Sequence, residues 1–433
     1  MKTRSPKRFI YGIDFGTSNS SVAVWDRQQR ALLDHPLLHH QEPTLLYFPH
    51  ARSFYADAER KYFGQEAIQH YIGDNMDGRL LQAIKTILPD ETFKETIINN
   101  KPYAIEALVA LHLKNLKARA DQATGENGRD VIMGRPAIFH EEPGRDRIAE
   151  SRLRAAAGMA GFENIHFQYE PIAAARTYET TLKTPRTVLV GDFGGGTSDF
   201  TIMRLDPAKR ALNDRRADVL ATGGVPVAGN KLDAEVMWHK LTPLFGRNAT
   251  YREFAGDKDL RVPTYPHHQI CQWDRIPFLN KDVKLIEKLI HFEKRSNCPE
   301  GFTRLLSLIR RNLGFSIFQQ IEKAKIRLTT ENETQLIYPD PTISINETLV
   351  YEEFRDMTAE VIISISKALE TTLNDARLQA SDIDFVFLTG GSSLVRNIRQ
   401  IFAELFGESR LHTGDTFASV GQGLALSAPL FFN

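Results

Sequence analysis

Residues 8–16 read Arg-Phe-Ile-Tyr-Gly-Ile-Asp-Phe-Gly, and residues 187–196 read Thr-Val-Leu-Val-Gly-Asp-Phe-Gly-Gly-Gly. Thr17-Ser-Asn-Ser20 follows the first and leads into the β-rich run Ser21-Val-Ala-Val-Trp25. Thr197-Ser-Asp199 follows the second and leads into Phe200-Thr-Ile-Met-Arg-Leu205. Each copy is an apolar strand, an Asp, a Gly-containing turn rich in hydroxyls, and a return strand. The two aspartates lie 192 − 14 = 178 positions apart, so each half of the chain opens with the same hairpin. Two similar lobes are the expected architecture.

The intervening pattern is that of a mixed α/β protein. Ile105, Leu108, Val109, His112, Leu116 and Ala120 share one helical face, with Gly125 just beyond. Phe354, Met357, Val361, Ile365, Leu369 and Leu373 predict a second helix over 354–373. Asp384-Phe-Val-Phe-Leu-Thr389 reads as a buried strand, then Gly390-Gly391-Ser392-Ser393 and a helix with Leu394, Ile398, Ile401, Phe402 and Leu405 inward. Residues 246 to about 312 break this rhythm with Pro263, Pro266, Pro277, Pro299 and many aromatics. They read as an insertion with helix at 281–294. The expected lobes are 1–186, with an inserted subdomain at about 48–129, and 187–433, with one at about 230–344.

Composition narrows the function classes. The 433 residues hold 54 basic and 54 acidic side chains, so there is no general attraction to nucleic acid or anionic membrane. No apolar run approaches the roughly 18 residues of a membrane helix. With Cys271 and Cys298 the only cysteines, no disulfide framework is implied, and a cytoplasmic protein is expected. His267, His268, Cys271 and Cys298 match no usual zinc spacing, so the insertion's aromatics read as a small local core.

Phosphate binding needs several backbone N–H groups converging on one point, which favours Gly and small hydroxyl residues in tight turns. Gly16-Thr17-Ser18-Asn19 and Gly194-Gly195-Gly196-Thr197 both have that character, and Asp14 and Asp192 end the incoming strands. Two carboxylates facing a polyphosphate would suit Mg²⁺, which keeps most of its waters. One such turn alone reads first as an ordinary hairpin; the paired order of Asp, Gly and Thr-Ser reverses that. Asp-Phe-Gly occurs twice, but both copies sit in hairpins and no His-Arg-Asp loop is present, so a protein kinase is excluded. Neither a P-loop nor a dinucleotide-binding glycine fingerprint occurs.

Together with Thr389-Gly-Gly-Ser-Ser393, these hairpins resemble the phosphate and adenosine motifs of the actin, Hsp70 and sugar-kinase superfold. The match is nearest to Hsp70 nucleotide-binding domains. Tyr169-Glu-Pro-Ile-Ala-Ala-Ala175 resembles their Glu-Pro segment, and Ile321-Glu-Lys-Ala-Lys-Ile-Arg-Leu-Thr329 their ribose-holding helix. The resemblance implies an α/β, two-lobed actin-like ATPase fold binding ATP or ADP with Mg²⁺. It places the β- and γ-phosphates on the amides around Gly16, Thr17, Ser18 and Asn19, with Gly194, Gly195, Gly196 and Thr197 closing from the other side. Asp14 and Asp192 would hold Mg²⁺ through water, and Asp199 would support the second turn. Lys85 would lie at the γ-phosphate, and Glu170 would orient water together with Asp192 and Thr197; without the resemblance, Lys85 reads as a solvated helix lysine and Glu170 as a helix-cap carboxylate. Glu322 and Lys325 would take the ribose, and Gly229, Gly390, Gly391, Ser392 and Asp415 the rest of the nucleoside. Where the family sets two arginines against the adenine, this chain has Ile326 and Leu394, which can sandwich a base without a cation–π contribution.

The expected activity is a chaperone-type, slow ATPase. Only Leu424 to Asn433 follow the adenosine-side motif, so the family's peptide-binding domain is expected to be missing, with lobe closure read by another protein. A small-metabolite kinase of the same superfold and a non-hydrolysing, nucleotide-gated scaffold remain open.

Overall fold

Both hairpins form as the sequence predicts. In this computed structural model, which describes residues 8–50, 60–74, 76–179, 181–212, 215–254, 258–413 and 416–432, the strand Phe9–Phe15 pairs antiparallel with Asn19–Asp26. Arg186–Phe193 pairs in the same way with Ser198–Leu205. The register is equivalent: Asp14 faces Ser21, and Asp192 faces Asp199.

The repeat extends to whole sheets. In the first sheet, Phe9–Phe15 is flanked on its free side by the parallel strands Asp130–Arg135 and Asn164–Tyr169. The return strand pairs antiparallel with the short Ala31–Leu32 and Glu42–Pro43. In the second sheet, Arg186–Phe193 is flanked by the parallel strands Phe385–Thr389 and Leu411–Thr413, and its return strand pairs antiparallel with Val219–Val225. The parallel strands require crossovers, which the intervening helices supply.

Alternation along the first strand assigns its faces. Phe9, Tyr11, Ile13 and Phe15 enter one core with Ile105, Leu108, Val109, Leu113 and Leu116 of the helix Ile105–Thr124. That helix ends at Gly125, in the left-handed conformation at φ 69°, as expected of a C-terminal glycine. Ile10 points the other way, to Ala173 of the helix Glu170–Glu179 and Leu424 of the helix Thr416–Leu426. The helix Glu170–Glu179 also meets the second sheet, through Ile172 and Ala175 against Val188, Val190, Met203 and Leu205. One short helix is thus shared by both sheets, and its first residue is Glu170.

The chain divides into two compact units. The first comprises residues 1–225, 368–390 and 402–433 and holds both sheets; the second comprises 226–367 and 391–401. In the second unit the helix Gly229–Val236 runs into a π-helical turn, Met237–Leu241, and the hairpin Glu333–Tyr338/Ile345–Val350 follows the helix Gly314–Arg327.

The single helix expected over 354–373 is two, Tyr351–Met357 and Ala359–Asp375. Thr358 is buried at the break, donating its hydroxyl to the Phe354 carbonyl (2.7 Å) and accepting from Asn397 (3.0 Å). Such back-bonding bends helices. The helix expected at 281–294 is Val283–Arg295, capped by Asp282, whose carboxylate accepts from the Leu285 amide (3.0 Å). It packs on Pro299–Arg310 with Leu285, Leu289, Phe292, Phe302, Leu305 and Ile309 buried, so the insertion does have a core of its own. His267 is buried there and bonded to the Phe245 carbonyl (3.0 Å), while Cys271 donates to the His267 carbonyl (3.2 Å). Among the described residues no helix is long and apolar enough to cross a membrane.

Candidate functional site

The two glycine turns meet. The Gly195 amide donates to the Ser18 hydroxyl (3.2 Å), joining turns 177 positions apart in sequence. Gly16 is required for the first turn, since a Cβ there would stand 2.1 Å from the Asn19 carbonyl oxygen. The second turn closes on itself through Gly194 N–H to the Thr197 carbonyl (3.1 Å). Thr197 donates its hydroxyl to Asp199 (2.7 Å), and Thr389 donates to Asp192 (2.8 Å).

Both turns line one cavity of about 400 Å³, within the first unit. Asp14, Gly16, Thr17, Ser18, Asn19, Lys85, Glu170, Asp192, Gly194, Thr197 and Asp199 all border it, and Pro136, Ala137, Ile138, Phe139 and His140 form part of its wall. Residues expected from distant parts of the sequence are therefore brought to one opening.

Lys85 is not a solvated helix lysine. It lies in a single 3₁₀ turn, Ile84–Ile87, entered through Ala83 in the left-handed conformation at φ 52°, an uncommon setting for a residue with a Cβ. Its side chain is 9% exposed and its ammonium donates to Glu170 (2.7 Å). Burial opposes its charge, but the carboxylates of Glu170, Asp14 and Asp192 outweigh that and hold the ammonium above its ordinary pKa.

Four carboxylates face that one lysine around the cavity. Burial, then repulsion from Glu170 and Asp192, pushes the Asp14 carboxyl up against the opposing pull of Lys85. Burial likewise raises Asp192, opposed by the Thr389 bond and Lys85, and raises Asp199, opposed chiefly by the Thr197 bond. Asp192 and Asp199 are open to the cleft, and the water reaching them tempers the rise. This negative excess fits a bound cation: a polyphosphate alone would be repelled, whereas Mg²⁺ satisfies both anions while keeping its waters. Asp14 and Asp192 both border the cavity, and a pair of carboxylates suits an ion that keeps most of its waters.

The nucleoside-side expectations fall mainly in the second unit. Gly229 begins the helix Gly229–Val236. Lys325 is buried rather than presented, donating to Asp233 Oδ2 (2.9 Å) and to the Gly229 carbonyl (3.4 Å), with Asp233 Oδ1 at ion-pair distance (2.8 Å). Burial raises the Asp233 carboxyl despite that lysine. Glu322, one turn earlier, is exposed. Gly391 and the buried Ser392 lie in the 3₁₀ turn Gly391–Leu394. Ile326 and Leu394 are 58% and 60% exposed, as are several other large apolar side chains of this chain. Gly390, in the first unit, turns the chain at φ 87° against the Phe193 backbone. Asp415 lies outside the described residues.

Two neighbours of these residues escaped the sequence reading, and a third was quoted without a role. Asp233 sits one helical turn after Gly229 and belongs to no motif. Thr389 opens the adenosine-side motif, but its bond to Asp192 left no signal in the sequence. Arg135 interrupts the apolar run Val131-Ile-Met-Gly134 directly before Pro136, a signal that a buried-strand reading passes over.

A family model described as Hsp70 protein matches residues 10–248 and 312–431, leaving out most of the helical insertion. A protein named Chaperone protein DnaK from Mycoplasmopsis agalactiae is 25% identical over 428 residues, which is 97% of this chain and 58% of that protein. One of the same name from Deinococcus radiodurans is 25% identical over 435 residues, 96% of this chain and 59% of that protein. The chain thus spans less than two thirds of the length of these relatives. A match covering the sequence on both sides of the insertion, with both hairpins inside it, has one consequence: the chain belongs to the Hsp70 family and has its mixed α/β, actin-like ATPase fold.

Proposed function

We propose that this chain is a chaperone-type ATPase that binds ATP and ADP with Mg²⁺ and hydrolyses ATP slowly. The observation that carries the reading is the meeting of the two turns, Gly195 N–H on Ser18, over the cavity that holds the Lys85–Glu170 pair. Backbone amides of Gly16 to Asn19 and Gly194 to Thr197 bind the phosphate oxygens. Asp14 and Asp192 hold Mg²⁺ through water, and when bound the ion neutralises charge on those oxygens. Lys85 stabilises the charge that develops on the γ-phosphoryl group, Glu170 and Asp192 orient the attacking water, and Asp199 fixes the Thr197 hydroxyl. Glu322 takes the ribose, Lys325 joining it only on leaving its pair with Asp233, and Gly229, Gly390, Gly391, Ser392 and Asp415 complete the nucleoside side. A protein partner reads the nucleotide state.

Calorimetric titration with ATP and ADP, with and without Mg²⁺, followed by single-turnover phosphate release, tests this reading. Mg²⁺-dependent binding of both nucleotides with slow release is the expected result. No binding heat and no release would overturn it, while tight binding without release would leave the nucleotide-gated scaffold.

A further inference from the structure

The strand Asp130–Arg135 ends directly behind Glu170, and its last two residues treat that carboxylate from two sides. Gly134 makes room: a Cβ there would stand 3.0 Å from Glu170 Cγ. Arg135 pairs in register with Tyr169, the residue before Glu170. Its guanidinium lies 5.3 Å from the Tyr169 ring centroid and 5.2 Å from that of Phe139. It bonds both oxygens of Asp146 (2.9 Å each) and also Glu150, and its Nε donates to the Pro136 carbonyl (3.1 Å). Asp146 in turn accepts from the Phe139 amide (2.7 Å). One buried side chain therefore braces the 136–140 wall of the cavity and the strand end at Tyr169 that directly precedes Glu170.

We propose that Arg135 is a positioning residue for the hydrolytic site, holding Glu170 and the 136–140 wall in register with Lys85; this rests on the ATPase reading above. Arg135 does not itself border the cavity, so it acts through Tyr169, Glu170 and Asp146. A planar, five-donor guanidinium is suited to this, because it can stack on two rings while bonding carboxylates and a carbonyl in its plane. Lysine retains the charge but loses both the stacking and the bidentate geometry.

The test compares Arg135→Met, Arg135→Lys, Glu170→Gln and the Arg135→Met/Glu170→Gln double variant in single-turnover hydrolysis and ATP binding. Arg135→Met should slow hydrolysis by about 10²-fold, the scale of a small misplacement of a catalytic group, with ATP affinity nearly unchanged. Arg135→Lys should recover part of that loss. In the Glu170→Gln background Arg135→Met should have little further effect, since its target is already disabled. A wild-type rate in Arg135→Met, or an equal slowing in both backgrounds, would overturn the proposal. If the parent protein hydrolyses nothing, the ATPase reading fails, and hydrogen exchange at the Phe139 amide decides about Arg135. Faster exchange in Arg135→Lys supports the brace; unchanged exchange removes it.

Discussion

Lys85 and Arg215, two among the buried cations of the first unit, are both surrounded by carboxylates, and they differ in what lies beyond. Arg215 is fully enclosed, bonded to both oxygens of Glu179 (2.7 and 3.2 Å) and to Asp218, which also accepts from Lys209 (2.7 Å). Glu179 and Asp218 are each 2% exposed, so the network is closed apart from Lys209, which is 41% exposed. Lys85 makes its bond to Glu170 at the wall of an opening, with Asp14 and Asp192 contributing charge that the lysine does not fully offset. A closed network gains specificity of fold from its charges, whereas an open one retains capacity for a ligand. Burial of a charge alone does not separate them; access does.

The comparison can be broken most sharply at Arg215. Arg215→Ala leaves Glu179 and Asp218 buried without their cation and should cost about 3–5 kcal/mol, read as a fall in denaturation midpoint, with nucleotide affinity per folded molecule unchanged. Lys85→Ala should do the converse. Single-turnover hydrolysis should drop by about 10²–10³-fold while ATP binding and the denaturation midpoint stay close to wild type. If Lys85→Ala unfolded the protein as readily as Arg215→Ala, the two cations would be alike after all.

Closed polar sites elsewhere sharpen the contrast through pH. His112 and His267 are both fully enclosed, and burial pushes each from 6.5 down to about 4. Each stays neutral in the fold and takes up a proton on unfolding once the pH drops below 6.5. Their contribution is therefore full above 6.5 and is lost as pH falls toward 4, at up to about 1.4 kcal/mol per pH unit for each residue. Denaturation midpoints measured from pH 7 to 4 should fall along that slope, and His267→Leu should flatten part of it. The smallest effect concerns the exposed aliphatic pair. Ile326→Arg should tighten ATP binding by about 0.5–1 kcal/mol if Ile326 walls the base, and calorimetry would show it. No change would place the base elsewhere.

The hairpins were legible because strand period, turn chemistry and order repeat locally in both halves. Even their register, Asp14 on Ser21 and Asp192 on Asp199, follows from turn length. The strand topology around them repeats as well, but parallel neighbours such as Asp130–Arg135 are chosen by tertiary packing and leave no pairing signal. For the same reason the ion pair between Lys85 and Glu170, and that between Lys325 and Asp233, were invisible in the sequence. Each joins residues that periodicity treats as unrelated, and solvent exposure is the default for a lysine. The helix break at Thr358 was missed because the apolar spacing of Phe354, Val361 and Ile365 continues across it, while the hydroxyl that bends the backbone has no bearing on that spacing.

The central claim is that the Gly16–Asn19 and Gly194–Thr197 turns hold one phosphate chain between them. A crystal structure with Mg²⁺ and a non-hydrolysable ATP analogue tests it most directly. The expected result is β- and γ-phosphates in hydrogen-bond contact with amides of both turns, beside Lys85. Phosphates bound to one turn alone, or a nucleotide seated outside that cavity, would contradict it.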